Sequence, residues 1–225
     1  MRFPPLPGNP SEGGRPLSSP SFPLAHSPIV WVQPGSGEEY SRPNFEGAKY
    51  ICSPPLRTAE SLPALWQGLG NGVLQSVGTD HCPFFFAGQK DKNRSDFRKI
   101  PGGLPGIEAR LALLYTFGVS RGKISLNQWV ALSATNPAKI FGIYPQKGTL
   151  VVGADADIVI FDPEKEMTIS TNMLHENVDY TPYEGFRLKG FPIRTIRRGE
   201  TIALNGEFVG KKAGGHFLAR KIEHA

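Results

Sequence analysis

Val73-Leu74-Gln75-Ser76-Val77-Gly78-Thr79-Asp80-His81-Cys82-Pro83-Phe84 is the stretch whose reading decides the fold. Residues 73–77 read as a short buried strand that stops at Gly78-Thr79-Asp80, so a carboxylate stands at the strand's C-terminal end. Just before it, residues 64–69 have helical spacing, with Leu65 and Leu69 four apart, and Gly70-Asn71-Gly72 ends that helix. Further upstream, Phe45-Glu46-Gly47-Ala48-Lys49-Tyr50-Ile51-Cys52 leads into Ser53-Pro54-Pro55. The prolines close a second strand candidate at 48–52. Strand, helix, strand is the alternation of a parallel α/β structure.

Downstream, residues 83–106 form a long loop rich in glycine, proline and charge, the kind of loop that is functional or mobile. Residues 107–117 predict an amphipathic helix, with Ile107, Leu111, Leu114 and Phe117 at three- and four-residue spacings. A second helix is expected over 126–134 with Ser125 as N-cap. A third, over 138–141, follows Pro137 and stops at Gly142. After Gly148 the period becomes strand-like, with candidates at 150–152, 158–161, 193–196, 201–204 and 207–209. Asn205-Gly206 predicts a two-residue hairpin turn between the last two. The final third is therefore a small β unit.

Residues 1–43 differ in character: ten prolines sit there among many Gly and Ser residues. Such a composition cannot bury enough apolar surface to offset its ordering entropy, so disorder is expected, with a weak strand candidate at 29–32. Pro4, Pro5, Pro7 and Pro10 interrupt the apolar run that a signal peptide needs. The expected division is 1–43, 44–147 and 148–225.

Bulk properties narrow the function classes. The 225 residues are 39% hydrophobic and 20% charged, without an apolar run long enough to span a bilayer. The net charge of +5 raises nucleic acid as a partner. The basic residues, including Arg194, Arg197, Arg198, Lys211 and Lys212, form no continuous stripe, so a solvated surface is the reading and no nucleic acid is expected. Cys52 and Cys82 have no CxxC spacing, which argues against a disulfide framework and for a reducing cytoplasm.

Asp80 is the focus of the chemistry. In a parallel barrel, catalytic groups come from the C-terminal ends of strands, and a carboxylate there can bind a cation or carry a proton. An Asp-His pair after a strand is equally compatible with an aspartate that only caps the following loop. The pattern around it is more specific. Ser53-Pro54-Pro55-Leu56-Arg57, Gly78-Thr79-Asp80-His81-Cys82-Pro83-Phe84 and Asp96-Phe97-Arg98-Lys99-Ile100-Pro101 occur in order. They are followed by Thr135-Asn136-Pro137-Ala138-Lys139-Ile140-Phe141-Gly142 and Gly153-Ala154-Asp155-Ala156-Asp157-Ile158-Val159.

This series resembles the C-terminal portion of the hydantoinase/dihydropyrimidinase branch of the amidohydrolase superfamily, from about Tyr40 to Arg220. The resemblance implies an α/β fold: the last strands and helices of a (β/α)8 TIM-like barrel, followed by a small C-terminal β unit. It implies a metal-dependent cyclic amidase with two zinc ions, opening a hydantoin or dihydropyrimidine ring. Asp80 takes the position of the metal-ligating carboxylate that passes a proton to the leaving nitrogen. Ser53 takes that of the serine contacting the substrate ring. Gly102 stands where the family usually has an asparagine whose backbone contacts the ring. His81 is expected to hydrogen-bond beside the site instead of binding metal. Thr135-Asn136-Pro137 is expected to fix a helix start, and Asp155 and Asp157 a turn before a buried strand. The tail around residues 208–220 resembles one that supports oligomer contacts, so a homo-oligomer is expected of the intact protein.

The family's remaining ligands, a His-x-His pair, a carboxylated lysine and two further histidines, precede the matched region. The histidines here are His26, His81, His175, His216 and His224, with no His-x-His among them. The chain is therefore expected to be a truncated homologue whose barrel strands lack neighbours. A non-catalytic hydantoinase-like scaffold or assembly subunit is the alternative.

Overall fold

The structure, a computed structural model, describes residues 37–220. The strand candidate at 29–32 lies outside them. Among the described residues the fold is α/β with one sheet, which is antiparallel and four-stranded in the order β1-β2-β3-β4. The strands are β1 (Ile158–Thr168), β2 (Arg187–Arg197), β3 (Glu200–Leu204) and β4 (Glu207–Phe208).

β1 and β2 are longer than the apolar residues predict. The register runs from Ile158 opposite Ile196 to Thr168 opposite Arg187, with an irregularity between Asp162 and Glu166. Pro163 falls in that gap, where its missing N–H cannot join a ladder. The Asp162 carboxylate accepts the N–H groups of Glu164 and Lys165 at 2.9 and 3.2 Å instead. Beyond the bulge the strands carry charge and pair it across the ladder, Lys189 with Glu164 at 2.8 Å and Arg187 with Glu166 at 3.6 Å. Asn205 and Gly206 adopt φ of 51° and 96°, the doubly positive pair that a tight hairpin needs, as expected. No residue of β1 is fully buried, so the buried strand expected after Asp157 is in fact a half-exposed one.

Helices cover the sheet. They are α1 (Leu62–Gly70), α2 (Arg110–Leu114), α3 (Leu126–Val130) and α4 (Asn136–Ile140). α2 continues through a wider turn over Tyr115–Val119, so the helix predicted at 107–117 is present but starts three residues late. Ile107 lies outside it and is 55% exposed. The buried residues are Ala112, Leu113, Leu114 and Phe117, because α2 packs on β2 and shares a core with Trp66 of α1 and Trp129 of α3. Trp66, Leu69, Trp129, Ile169 and Leu188 belong to the same core. Tyr115, Trp129 and Phe161 stack between the layers at centroid distances of 4.8–5.8 Å.

One glycine makes that packing possible. Gly190 in β2 has φ of 84°, and a Cβ there would lie 2.4 Å from the Tyr115 ring. Beside it, the Thr116 hydroxyl both donates to the Lys189 carbonyl and accepts its N–H, each at 2.9 Å.

Ser125 begins α3 with a capping box, its hydroxyl bonded to Gln128 N–H while the Gln128 side chain returns to Ser125 N–H. The two helices expected at 126–134 and 138–141 are one continuous run. A wide turn over Ala131–Thr135 leads directly into α4, which carries Pro137 near its start. Widening the helix removes the clash and lost hydrogen bond that proline causes inside a regular α-helix.

Three expected strands are absent. Residues 48–50 belong to a 3-10 run over Pro43–Tyr50, broken at Asn44 and Phe45 by positive φ. Residues 73–77 and 150–152 are irregular. A strand needs a continuous ladder with a neighbour. Residues 48–52 and 73–77 receive only isolated backbone bonds, such as Gly103 N–H to Ile51 O and Val77 N–H to Leu132 O, and among the described residues no ladder reaches 150–152. Leu150, Val151 and Val152 consequently face solvent at 73%, 54% and 107% exposure.

Candidate active site

Asp80 sits at the end of the irregular 73–79 segment with φ of 45°, in the left-handed region that aspartate tolerates better than most residues. Its side chain is exposed. Side chains and backbone both fasten the segment below it, Leu74 N–H donating to Gly68 O at 2.9 Å and Val77 N–H to Leu132 O at 3.4 Å. Arg110 donates to the Val77 carbonyl at 3.1 Å, and the Asn136 amide donates to the Gln75 carbonyl at 2.8 Å. The Asn of Thr-Asn-Pro therefore serves the Asp80 segment, while the Thr135 hydroxyl bonds Gly148 O at 2.7 Å. The motif stands at the start of α4, as expected, although neither side chain caps it.

The chain after Asp80 runs beside residues 101–104. His81 and Leu104 form a parallel bridge, and Cys82 N–H donates to Leu104 O at 3.1 Å. On its other side the same segment meets the Ser53 stretch, Gly103 N–H donating to Ile51 O at 3.0 Å. Ser53 and Gly102 are both exposed on that side. The three candidate residues thus stand on three adjoining segments, with 101–104 in the middle.

The two glycines of the middle segment differ. A Cβ on Gly102 would find nothing nearer than Ser53 N at 3.9 Å, an ordinary contact, so the backbone does not require glycine there. Gly103 has φ of 153°, and a Cβ on it would lie 2.4 Å from Cys82 O. Gly103 is what lets the 82 and 51 segments close on 101–104 from either side.

His81 Nδ1 accepts N–H bonds from Gly106 at 3.2 Å and Ile107 at 3.4 Å. An imidazole nitrogen that accepts carries no proton, so the proton is on Nε2. His81 anchors the start of the α2 approach, in keeping with a residue beside the site. Glu176 lies 3.9 Å from the same nitrogen. Its carboxyl is buried, which pushes its pKa up, and Oε1 accepts Glu108 N–H at 3.2 Å. Asp155 and Asp157 are occupied by Lys147, with Asp157 also accepting Arg198 N–H at 2.8 Å. The carboxylates thus tie Lys147 and the Arg198 backbone, while the turn before β1 is closed by backbone, Ala154 N–H donating to Val151 O at 3.1 Å, which differs from the expected turn-setting role.

Sequence reasoning missed Lys90. Its side chain is wholly buried, and its ammonium donates to Ile51 O at 2.9 Å, Pro101 O at 2.8 Å and Ala48 O at 3.4 Å. Burial pushes its pKa down to about 8, with the nearby Cys52 and Cys82 acting in the opposite direction. A lysine inside a charged, glycine-rich loop reads as surface, and nothing in its spacing signals otherwise. The Cys52 thiol is pushed up by burial, with Tyr40 and Lys90 opposing and Asp80 adding to the rise. Cys52 also lines an apolar pocket of about 550 Å3 with Tyr40, Ala48 and Ile100, which neither Asp80 nor Ser53 lines.

A metal centre needs several convergent ligands. Among the described residues no group of three or more His, Cys, Asp or Glu side chains is placed to hold an ion.

Comparison with known proteins fixes the relationship. The sequence signature of the Amidohydrolase family matches residues 43–202. The chain belongs to the amidohydrolase family. It is 50% identical over 184 residues to a D-hydantoinase of Ralstonia pickettii, covering 82% of this chain and 40% of that protein. A D-hydantoinase of Geobacillus stearothermophilus is 50% identical over 179 residues, 80% of this chain and 38% of the relative. The structure superposes on a dihydropyrimidinase from Brevibacillus agri NCHU1002 with a TM-score of 0.81 at 50% identity, covering 82% of this chain and 40% of that one. For the D-hydantoinase from Bacillus sp. AR9 the TM-score is 0.80 at 50% identity, with 82% and 41% covered. This amidohydrolase chain therefore spans about two-fifths of the length of the relatives it matches.

Proposed function

We propose that this chain supplies the ring-contact side of a cyclic amide hydrolase acting on hydantoin or dihydropyrimidine rings. The observation that carries the proposal is the adjacency of Ser53, Gly102 and Asp80 on three joined segments of a chain half identical to D-hydantoinases. Residues 44–147 are read as the last quarter of a (β/α)8 barrel and 148–225 as its β unit.

In this reading the Ser53 hydroxyl and the Gly102 backbone grip the ring's amide edge, which offers both donors and acceptors. Ring opening forms a carbon–oxygen bond from water to the ring carbonyl and breaks the carbon–nitrogen bond. Asp80 carries the proton from the attacking water to the departing nitrogen. The zinc pair implied by the resemblance does not fit the described residues, which give it Asp80 alone. The open side chain of Asp80 is compatible with service as one ligand among others. Free Cys52 and Cys82 are consistent with a reducing cytoplasm. Exposed Phe208, Val209 and Phe217 favour a homo-oligomer through the tail.

The test is titration of the purified chain with hydantoin and with dihydrouracil, followed by NMR, beside zinc analysis and a ring-opening assay. Ring binding that Ser53→Ala weakens is expected, without stoichiometric zinc and without turnover by the chain alone. Absence of ring binding sinks the reading, and robust turnover sinks the assignment of the chain to one side of the site. Binding of neither ring, with intact folding, would favour the scaffold alternative.

A further inference from the structure

Lys90 Nζ has three hydrogens and three carbonyl acceptors, and those carbonyls come from both sides of the candidate rim. Ala48 and Ile51 belong to the segment that presents Ser53, and Pro101 immediately precedes Gly102. Among the described residues no carboxylate pairs with this ammonium within salt-bridge distance. For stability alone the arrangement is a poor choice: a buried charge costs more to desolvate than an apolar side chain of similar length. What an apolar side chain cannot do is draw carbonyls from two segments to one point.

The loop that delivers Lys90 is itself held at several places. The Asp179 carboxylate accepts Phe86 and Ala87 N–H at 2.6 and 2.9 Å. Gln89 accepts Phe85 N–H at 2.7 Å, and Asp91 accepts Gly88 N–H at 2.8 Å. The neighbouring Tyr180 hydroxyl donates to Lys49 O at 3.0 Å, which ties the Ser53 side of the rim to the same anchor. Lys90 thus projects from a fixed base into the seam between the two segments.

We propose that Lys90 is a positioning residue, whose ammonium clasps the Ile51 and Pro101 carbonyls and so sets the spacing between Ser53 and Gly102. The role rests on the ring-contact reading for its purpose, while the clasp itself is a matter of local structure. Two kinds of measurement keep these apart.

The first is amide hydrogen exchange on the full chain carrying Lys90→Met, which keeps the length and removes every donor. The Gly103 amide, bonded to Ile51 O, is expected to exchange at least about tenfold faster, since hydrogen bonds to a charged donor are stronger than neutral ones. Amides of the β1–β2 ladder are expected to keep their rates. Unchanged Gly103 exchange overturns the clasp. Should Lys90→Met fail to fold, Lys90→Gln retains two donors on a shorter stem, and its Gly103 amide is expected to exchange faster than wild type; a wild-type rate there overturns the clasp equally.

The second is a double-mutant cycle on ring affinity with Lys90→Met and Ser53→Ala. If Lys90 acts through the placement of Ser53, the double variant loses little beyond the larger single loss, whereas a purely structural lysine gives multiplicative losses. Multiplicative losses overturn the positioning role. A wild-type chain that binds no ring defeats the ring-contact reading and the positioning role that depends on it, and exchange then still decides whether the clasp exists.

Discussion

The sheet at 158–208 and the three joined segments near Ile51, His81 and Leu104 draw on similar β-forming residues, yet only the first makes ladders. The sheet's strands meet partners close in sequence: β2–β3 and β3–β4 are joined by short turns, and β1 returns to β2 through a loop. Of the rim segments, those at His81 and Leu104 run parallel, a geometry that needs a long crossover and neighbours on both sides. The three segments receive a single parallel bridge and two backbone hydrogen bonds, to which Lys90, Gly103 and the His81 ring add cohesion. Antiparallel structure closes on itself from local sequence, whereas parallel structure depends on distant chain.

The contrast can be broken most forcefully through the core that both regions share. Leu188 lies in β2 but packs with Leu114 and Trp129. Leu188→Ala is expected to lower stability by about 2–5 kcal/mol. Urea unfolding followed separately by tryptophan fluorescence and by far-UV circular dichroism should give one shifted transition. Two separated transitions would show the regions to be independent.

Next in size is Gly103→Ala. The new Cβ meets the Cys82 carbonyl at 2.4 Å, at a positive φ that alanine resists. A cost of about 1–3 kcal/mol is expected, with faster exchange at the Cys82 and Gly103 amides and an undisturbed sheet. Gly206→Ala is the counterpart on the other side of the comparison. It should cost about 1 kcal/mol and fray only β3 and β4, which exchange at Ala203 and Phe208 would report.

The smallest effect concerns pH. The Glu108 carboxylate beside His175 lifts its pKa above the usual histidine value. A group raised on folding adds stability that is fully present below its unfolded pKa, about 6.5, and that is lost as pH rises through the folded value. The imidazole is exposed, so the melting temperature should drift only slightly down across that window. His175→Gln should flatten the drift; an equal slope in the variant refutes the assignment.

Legibility in the sequence followed the same division. The Asn205-Gly206 turn, the Ser125 cap and the burial of Leu114 and Phe117 were readable because local chemistry determines them. The charged halves of β1 and β2 were not, since Glu164, Glu166, Arg187 and Lys189 look like loop until their cross-strand pairing is seen. Residues 73–77 have the composition of a strand, but a strand also requires a neighbour that composition cannot supply. At the candidate site, ordered motifs drew attention to Asp80, Ser53 and Gly102, while Lys90 escaped because its burial is a tertiary fact. Pro137 misled in the opposite direction: it reads as a break, and a widened turn carries the helix through it.

Leu150, Val151 and Val152 carry a consequence for life in a cell. Three bare aliphatic side chains in a row, flanked by Gly148 and Gly153, offer the kind of sticky, extended handle that holdase chaperones grip. So long as that handle stays uncovered, triage by chaperone and protease acts together with the stability of the sheet in setting how many copies survive. Two charged substitutions at Val151 and Val152 would blunt the handle and should lengthen the chain's lifetime without touching the rim around Asp80.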